Sequence, residues 1–143
     1  MDLPFVRLSN AAVLPAAARP GDAGFDLTSA VDAEIGPGER VSIPTGVAVA
    51  IPPGHAGLVL PRSGLAAREG LTLANSPGLI DAGYRGELIC AMVNLDRERS
   101  VHVAKGDRVA QLVIVAIPYV TPTWVDELPA SERGDGGFGS TGR

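Results

Sequence analysis

Leu71-Thr72-Leu73-Ala74, then Asn75-Ser76-Pro77-Gly78-Leu79-Ile80-Asp81-Ala82-Gly83-Tyr84-Arg85-Gly86-Glu87, then Leu88 to Leu95: two short apolar runs enclose a stretch rich in turn residues. The runs read as strands, and the stretch between them as a hairpin loop carrying a carboxylate, a phenol and a guanidinium. Pro77 has no backbone N–H, and Gly78, Gly83 and Gly86 admit conformations or close approaches that a side chain would block. Ladder pairing is therefore expected to break off here. The released N–H and C=O groups need partners, and a small planar molecule with alternating donors and acceptors would supply them. The competing reading is an ordinary Gly/Pro turn with solvated Asp81 and Arg85.

Period-two patterning extends outward from this hairpin. Phe5-Val6-Arg7-Leu8 alternates, and Arg40 to Ile51 places Val41, Ile43, Val47, Val49 and Ile51 on odd positions. Ala56 to Leu60, Val101 to Val103, Arg108 to Ile117 and Tyr119 to Val125 continue the pattern, each bounded by Gly, Pro, Asn or Asp. No segment sustains a helical period over three turns. One short helix is predicted, Ser63 to Glu69, with Ser63 as its N-cap and Gly70 as its stop. Many short strands joined by turn residues make an all-β protein, a β-sandwich or jelly roll.

Composition agrees with one folded domain. The chain has 143 residues, 45% of them hydrophobic but only 4% aromatic, so its core must be aliphatic. Its 18 glycines and 12 prolines are about a fifth of the chain, above the usual share of roughly 12% and below the ~25–30% that signals disorder. A formal charge of -4 gives no bulk attraction to nucleic acid, so any anionic ligand must be held by local arginines. The single cysteine, Cys90, lies inside an apolar run and reads as a buried hydrophobe, which favours a reducing compartment. Met1 to Asn10 has no secretory pattern, and the longest apolar run, Val109 to Ile117, is far short of the ~20 residues needed to span a bilayer. A cytoplasmic, membrane-free protein is expected. Composition turns Gly/Ser-rich after Glu132, which divides the chain into a domain over 1–132 and a mobile arm over 133–143.

Five stretches carry chemistry: Pro20 to Leu27, with Asp26; Pro61-Arg62-Ser63-Gly64-Leu65-Ala66; the hairpin; Gly106-Asp107-Arg108-Val109-Ala110-Gln111-Leu112; and Arg133 to Gly142. Arg62, Ser63 and Gly64 at a helix start offer a guanidinium, a hydroxyl and backbone N–H groups to phosphate, or else form a plain cap with a surface Arg. Gln111 stands among apolar neighbours, and a buried amide without partners costs roughly 1–3 kcal/mol, so it bonds backbone or faces a polar site. Asp26 sits in a Gly-flanked loop and could be only a turn carboxylate. Asp107 and Arg108 read as turn and subunit-contact residues. Arg133, Phe138, Ser140 and Thr141 combine a charge, an aromatic ring and hydroxyls, which suits phosphates and a stacked base.

In this order and over most of the chain, the five stretches closely resemble the motifs of the homotrimeric deoxyuridine triphosphatases (dUTPases). The resemblance implies that family's distorted jelly roll, a β-clip sandwich, and hydrolysis of dUTP to dUMP and pyrophosphate by water attack on the α-phosphate. It implies Asp81 as the base that orients the water, with Asp26 and Gln111 assisting. Asn75, Gly78, Ile80, Tyr84 and Phe138 would hold base and sugar. Arg62, Ser63, Gly64, Gln111, Arg133, Ser140 and Thr141 would grip the phosphates, with Mg²⁺ carried by the nucleotide and water and not by the protein. It further implies a homotrimer whose sites are shared between subunits, with the arm closing over a neighbour's site. Two alternatives stay open. One is the sister dCTP deaminase family, which needs a Glu where this chain has Ala91; the other is a non-catalytic nucleotide-binding module. A zinc deaminase is excluded, because Cys90, His55 and His102 cannot build its metal site.

Overall fold

The computed structural model describes residues 2–136. Its strands are β1 (Phe5–Arg7), β2 (Phe25–Thr28), β3 (Ala33–Ile35), β4 (Arg40–Val49), β5 (His55–Pro61), β6 (Leu71–Leu73), β7 (Gly78–Ile80), β8 (Glu87–Asn94), β9 (Val101–Val103) and β10 (Arg108–Ala116). Among the described residues the one helix, α1 (Ser63–Glu69), joins β5 to β6. One antiparallel sheet runs β1-β4-β8-β6, a second runs β2-β10-β5-β7, and β3 pairs with β9 apart from both. Side chains from all three meet in one aliphatic core that includes Leu27, Ile35, Ile43, Leu88, Met92, Val101 and Leu112. This is the predicted all-β sandwich. Among the described residues no helix is long and apolar enough to cross a membrane.

Alternation explains which face each strand buries. On β8, Leu88, Cys90, Met92 and Asn94 point inward while the residues between them are half-buried or exposed. Burial pushes the Cys90 thiol up to about 12, since the low-dielectric core disfavours its thiolate. Asn94 is the polar exception and is fully committed. Its Nδ2 donates to the carbonyls of Ile35 and Arg99 at 2.9 and 2.8 Å, and its Oδ1 accepts from Asp96 N–H at 2.9 Å.

The hairpin reading holds at its base and changes at its tip. β6 and β8 pair from Leu71–Asn94 to Leu73–Met92, and the ladder then breaks off as expected. The chain does not stay in an open loop, however. Gly78, Leu79 and Ile80 form β7, which pairs with Val59, Leu58 and Gly57 of β5 in the opposite sheet. The presumed loop is thus a crossing between sheets. Gly78 allows it, because a Cβ there would stand 3.4 Å from Val59 Cβ and 3.2 Å from the Asn75 amide nitrogen.

Three further expectations are corrected. Asp26 belongs to strand β2, not to a loop; its N–H also donates to Ala16 O at 2.9 Å. The N-cap of α1 is Arg62, in extended conformation and without a side-chain cap bond, so Ser63 is the first helical residue. Gly70 ends the helix as predicted, in the left-handed region at φ 67°. Finally, Tyr119 to Val125 is not a strand: it finds no ladder partner among the described residues, and Pro118 and Pro122 withhold two donors. It leaves Tyr119 and Trp124 exposed at 82% and 102%.

Candidate active site

The pairing of β10 with its two neighbours assembles the first half of the site. Gln111 lies opposite Asp26 on β2 and opposite Leu60 on β5. A register shift between Arg108 and Ala110 places Arg108 opposite Thr28. Cross-strand partners share a face, so this bulge turns Arg108 and Gln111, three residues apart, toward the same side as Asp26. Arg62, where β5 gives way to α1, completes the group.

The contacts are charge-assisted. Asp26 Oδ1 faces Arg62 Nε at 3.2 Å and its Oδ2 faces Arg108 Nη1 at 3.2 Å. Arg62 Nη1 also donates to Arg108 O at 3.4 Å. Gln111 Nε2 donates to Pro61 O at 3.1 Å, which leaves its Oε1 for another donor. A Cβ on Gly24 would collide with that amide, so a glycine is needed at this point of the cleft wall. The resulting cleft, about 430 Å³, is lined by Asp26, Arg62, Ser63, Gly64, Arg68 and Gln111 among others. Both oxygens of Asp26 are spent on guanidinium groups, so its evident work is to hold Arg62 and Arg108 in place.

The hairpin supplies the second half. Asp81, Tyr84, Ile80, Leu79, Glu87 and Ile89 line a separate cavity of about 260 Å³. Tyr84 N–H donates to Asp81 O at 3.0 Å and Tyr84 Oη donates to Glu87 O at 3.0 Å, which fixes the ring. The ring passes so close to Gly86 that a Cβ there would strike it. Arg85 turns inward on its own loop, donating through Nη1 to Ala82 O at 2.6 Å and Tyr84 O at 2.8 Å. Asp81 is left as an exposed carboxylate beside the phenol.

Within one chain, then, Arg62, Ser63, Gly64, Asp26 and Gln111 come together, and Ile80, Asp81 and Tyr84 come together, but the two cavities share no residue. Asn75 and Gly78 pack on each other at the approach to β7. Arg133 is exposed and donates through Nε to Gly136 O at 2.8 Å. Phe138, Ser140 and Thr141 lie outside the described residues. Asp107 serves the turn as expected, accepting through Oδ2 from Ala104 N–H at 2.8 Å. Arg108 does not merely serve it, since the structure sets its guanidinium on Asp26. Sequence reading also passed over Arg68; its place four residues after Gly64 on a predicted helix was the available signal.

An antiparallel sandwich with an arginine-and-amide cleft on one sheet and a carboxylate-and-phenol pocket on a sheet crossing defines a phosphate-handling β-clip protein. The family model described as dUTPase matches residues 10–142, and the chain belongs to that family. It is 57% identical over 129 residues to the deoxyuridine 5'-triphosphate nucleotidohydrolase of Streptomyces coelicolor, covering 90% of this chain and 70% of the relative. It is 54% identical over 145 residues to the protein of the same name in Mycolicibacterium gilvum, covering 98% and 94%. Among solved structures, the dUTPase of Staphylococcus bacteriophage 80alpha with dUPNHPP superposes with a TM-score of 0.92 at 36% identity, covering 99% of each chain. A mutant dUTPase of S. aureus phage phi11, described with a structural Mg(II) ion, superposes at 0.84 with 31% identity over 91% of this chain and all of that one.

Proposed function

We propose that this chain hydrolyses dUTP to dUMP and pyrophosphate, with the two cavities as the two halves of its site. The observation that carries the reading is the cleft in which Arg62, Ser63, Gly64 and Gln111 converge, beside a sandwich whose hairpin presents Asp81. Arg62, fixed by Asp26, presents its remaining N–H groups to the phosphates, and Ser63 and Gly64 add a hydroxyl and backbone N–H groups. Asp81 orients the attacking water and takes its proton as the water oxygen bonds to the α-phosphorus and the α-phosphorus–oxygen bond to the leaving pyrophosphate breaks. Tyr84 packs beneath the deoxyribose where a 2′-hydroxyl has no room, while Asn75, Gly78 and Ile80 read the base through side chain and backbone. Sites built on fixed hydrogen-bond partners reject analogues by about 10⁴ or more.

Mg²⁺ carried by the nucleotide would offset charge on the phosphate oxygens. The donor set suits such an arrival. Asp26 is occupied by two guanidinium groups, and among the described residues no three His, Cys, Asp or Glu side chains gather to hold a cation. The site is shared between copies in a homotrimer: one chain's Asp81 pocket meets another chain's Arg62 cleft. Exposed Tyr119, Val120, Trp124, Val125 and Leu128 support this assembly, because a terminal segment this apolar needs a surface to cover. Residues 133–143 act as an arm that brings Arg133, Phe138, Ser140 and Thr141 over a neighbour's nucleotide. The unpaired, buried Cys90 favours the cytoplasm as the compartment.

The test is to incubate the protein with dUTP, dTTP, dCTP and UTP in Mg²⁺, following pyrophosphate release and the nucleotide products by mass spectrometry. Release from dUTP alone, with dUMP formed, is expected. Deaminated product from dCTP would move the chain to the sister family, and binding without turnover would make it a nucleotide-binding module.

A further inference from the structure

The Arg62 cleft holds a guanidinium that the roles above leave unused. Arg68 lies four residues after Gly64 on α1 and so returns to the same face, and helical side chains lean toward the N-terminus. Its guanidinium accordingly folds back over the first turn: a Cβ on Gly64 would stand 2.9 Å from Arg68 Nη2 and 3.2 Å from Nη1. Gly64 is what lets the guanidinium lie there. Arg68 lines the cleft together with Arg62, Ser63 and Gln111.

The arginines differ in what already holds them. Arg62 gives Nε to Asp26 and Nη1 to Arg108 O, and Arg108 gives Nη1 to Asp26. Among the described residues Arg68 has neither an ion pair nor a hydrogen bond, although Glu69 follows it directly. An arginine with five N–H donors uncommitted, beside one partly neutralised by a carboxylate, is the cation with most to offer an incoming polyanion.

We propose that Arg68 is a further substrate-binding residue that grips the polyphosphate beyond its α-phosphate. The proposal rests on the dUTP reading above. The α-phosphate must lie where Asp81 can direct water at it, and no residue of α1 lines the Asp81 pocket. The cleft lined by Arg68 is left for the phosphates further along the chain.

Arg68→Ala, Arg68→Lys and Arg68→Glu test this, with thermal unfolding confirming that each variant folds; Ala is well tolerated at an exposed helical position. For Arg68→Ala the KM for dUTP is expected to rise roughly two- to fivefold at low salt with kcat nearly unchanged, as suits an exposed charge. Lys should recover part of the loss, Glu should deepen it, and raising salt should close the gap to the parent protein. Inhibition by inorganic tripolyphosphate should weaken by a similar factor, whereas inhibition by dUMP should not move. An unchanged KM in folded Arg68→Ala, or dUMP inhibition weakened as much as that of tripolyphosphate, would overturn the assignment. Calorimetric binding of tripolyphosphate to parent and variant decides the role of Arg68 even if the parent protein fails to turn over dUTP, a failure that would count against the hydrolase reading alone.

Discussion

Asp81 and Asp26 are both carboxylates in motifs, yet their surroundings separate their roles. Asp26 is 18% exposed at the side chain and bridges Arg62 and Arg108, whereas Asp81 is exposed. Asp81→Asn is therefore expected to lower kcat by about 10²–10⁴, the usual worth of a positioned base, with nucleotide affinity retained. Single-turnover kinetics alongside calorimetric binding would check this, and turnover near the parent rate would remove Asp81 as the base. A third carboxylate, Asp96, is held well below the usual range, at about 2, first by the Glu98 and Arg99 backbone N–H groups and then by the Arg99 guanidinium. A depressed folded-state pKa gives stability that is complete above the unfolded value near 3.9 and fades as pH falls toward 2. Asp96→Asn should thus lose stability at pH 6 relative to the parent, with the difference shrinking below pH 4; urea midpoints across that range measure it. Cys90 has the opposite sign. With its thiol pushed up to about 12, its contribution is present below the unfolded value near 8.5 and declines as pH rises above it.

At the scale of elements, α1 and the bulge on β10 set the cleft. The helix is short and buries no residue, so its ends matter more than its face. Gly70 is needed twice over: its φ is 67°, and a Cβ would stand 2.9 Å from Asp96 N. Gly70→Ala is expected to cost about 1–3 kcal/mol, read as a lower denaturation midpoint, and to raise the KM for dUTP by loosening Ser63 and Gly64. An unaltered midpoint would mean that the strand-to-helix junction can relax. Asn94→Ala, which takes away the side-chain partner of the buried Ile35 carbonyl, of the part-buried Arg99 carbonyl and of the Asp96 N–H where β8 meets the β3–β9 pair, is expected to cost about 1–3 kcal/mol by urea unfolding.

For the whole molecule the decisive fact is that the two cavities stay apart within one chain. If a neighbouring copy unites them, mixing Asp81→Asn with Arg62→Ala subunits should restore sites that neither inactive variant has alone. Activity after co-refolding of the two variants is the readout, and its absence would mean that each chain builds its own site. Replacing Trp124, fully exposed here, with Asp should weaken assembly, visible as a smaller mass by light scattering.

Strands β1, β4, β5, β6, β8, β9 and β10, the aliphatic core, α1 and its stop at Gly70 were legible in the sequence, because period two, turn residues and a helix-ending glycine are local properties, whereas β2 and β3 carry too short an alternation to stand out. The motifs were legible too, since motif order is a property of the chain, and the structure gathers Asp26, Arg62, Ser63, Gly64 and Gln111 around one cavity and Ile80, Asp81 and Tyr84 around another. Three things were decided only by tertiary structure. Gly78 to Ile80 became a strand because β5 offered it an edge, which no local pattern specifies. Strict alternation puts Arg108 and Gln111 on opposite faces, and only the register against β2 reveals the bulge that sets them on one. Tyr119 to Val125 alternates like a strand but has no ladder among the described residues, because a strand exists only where its N–H and C=O groups meet another. Local chemistry is written in the order of residues; which groups face each other is settled by pairing between distant segments.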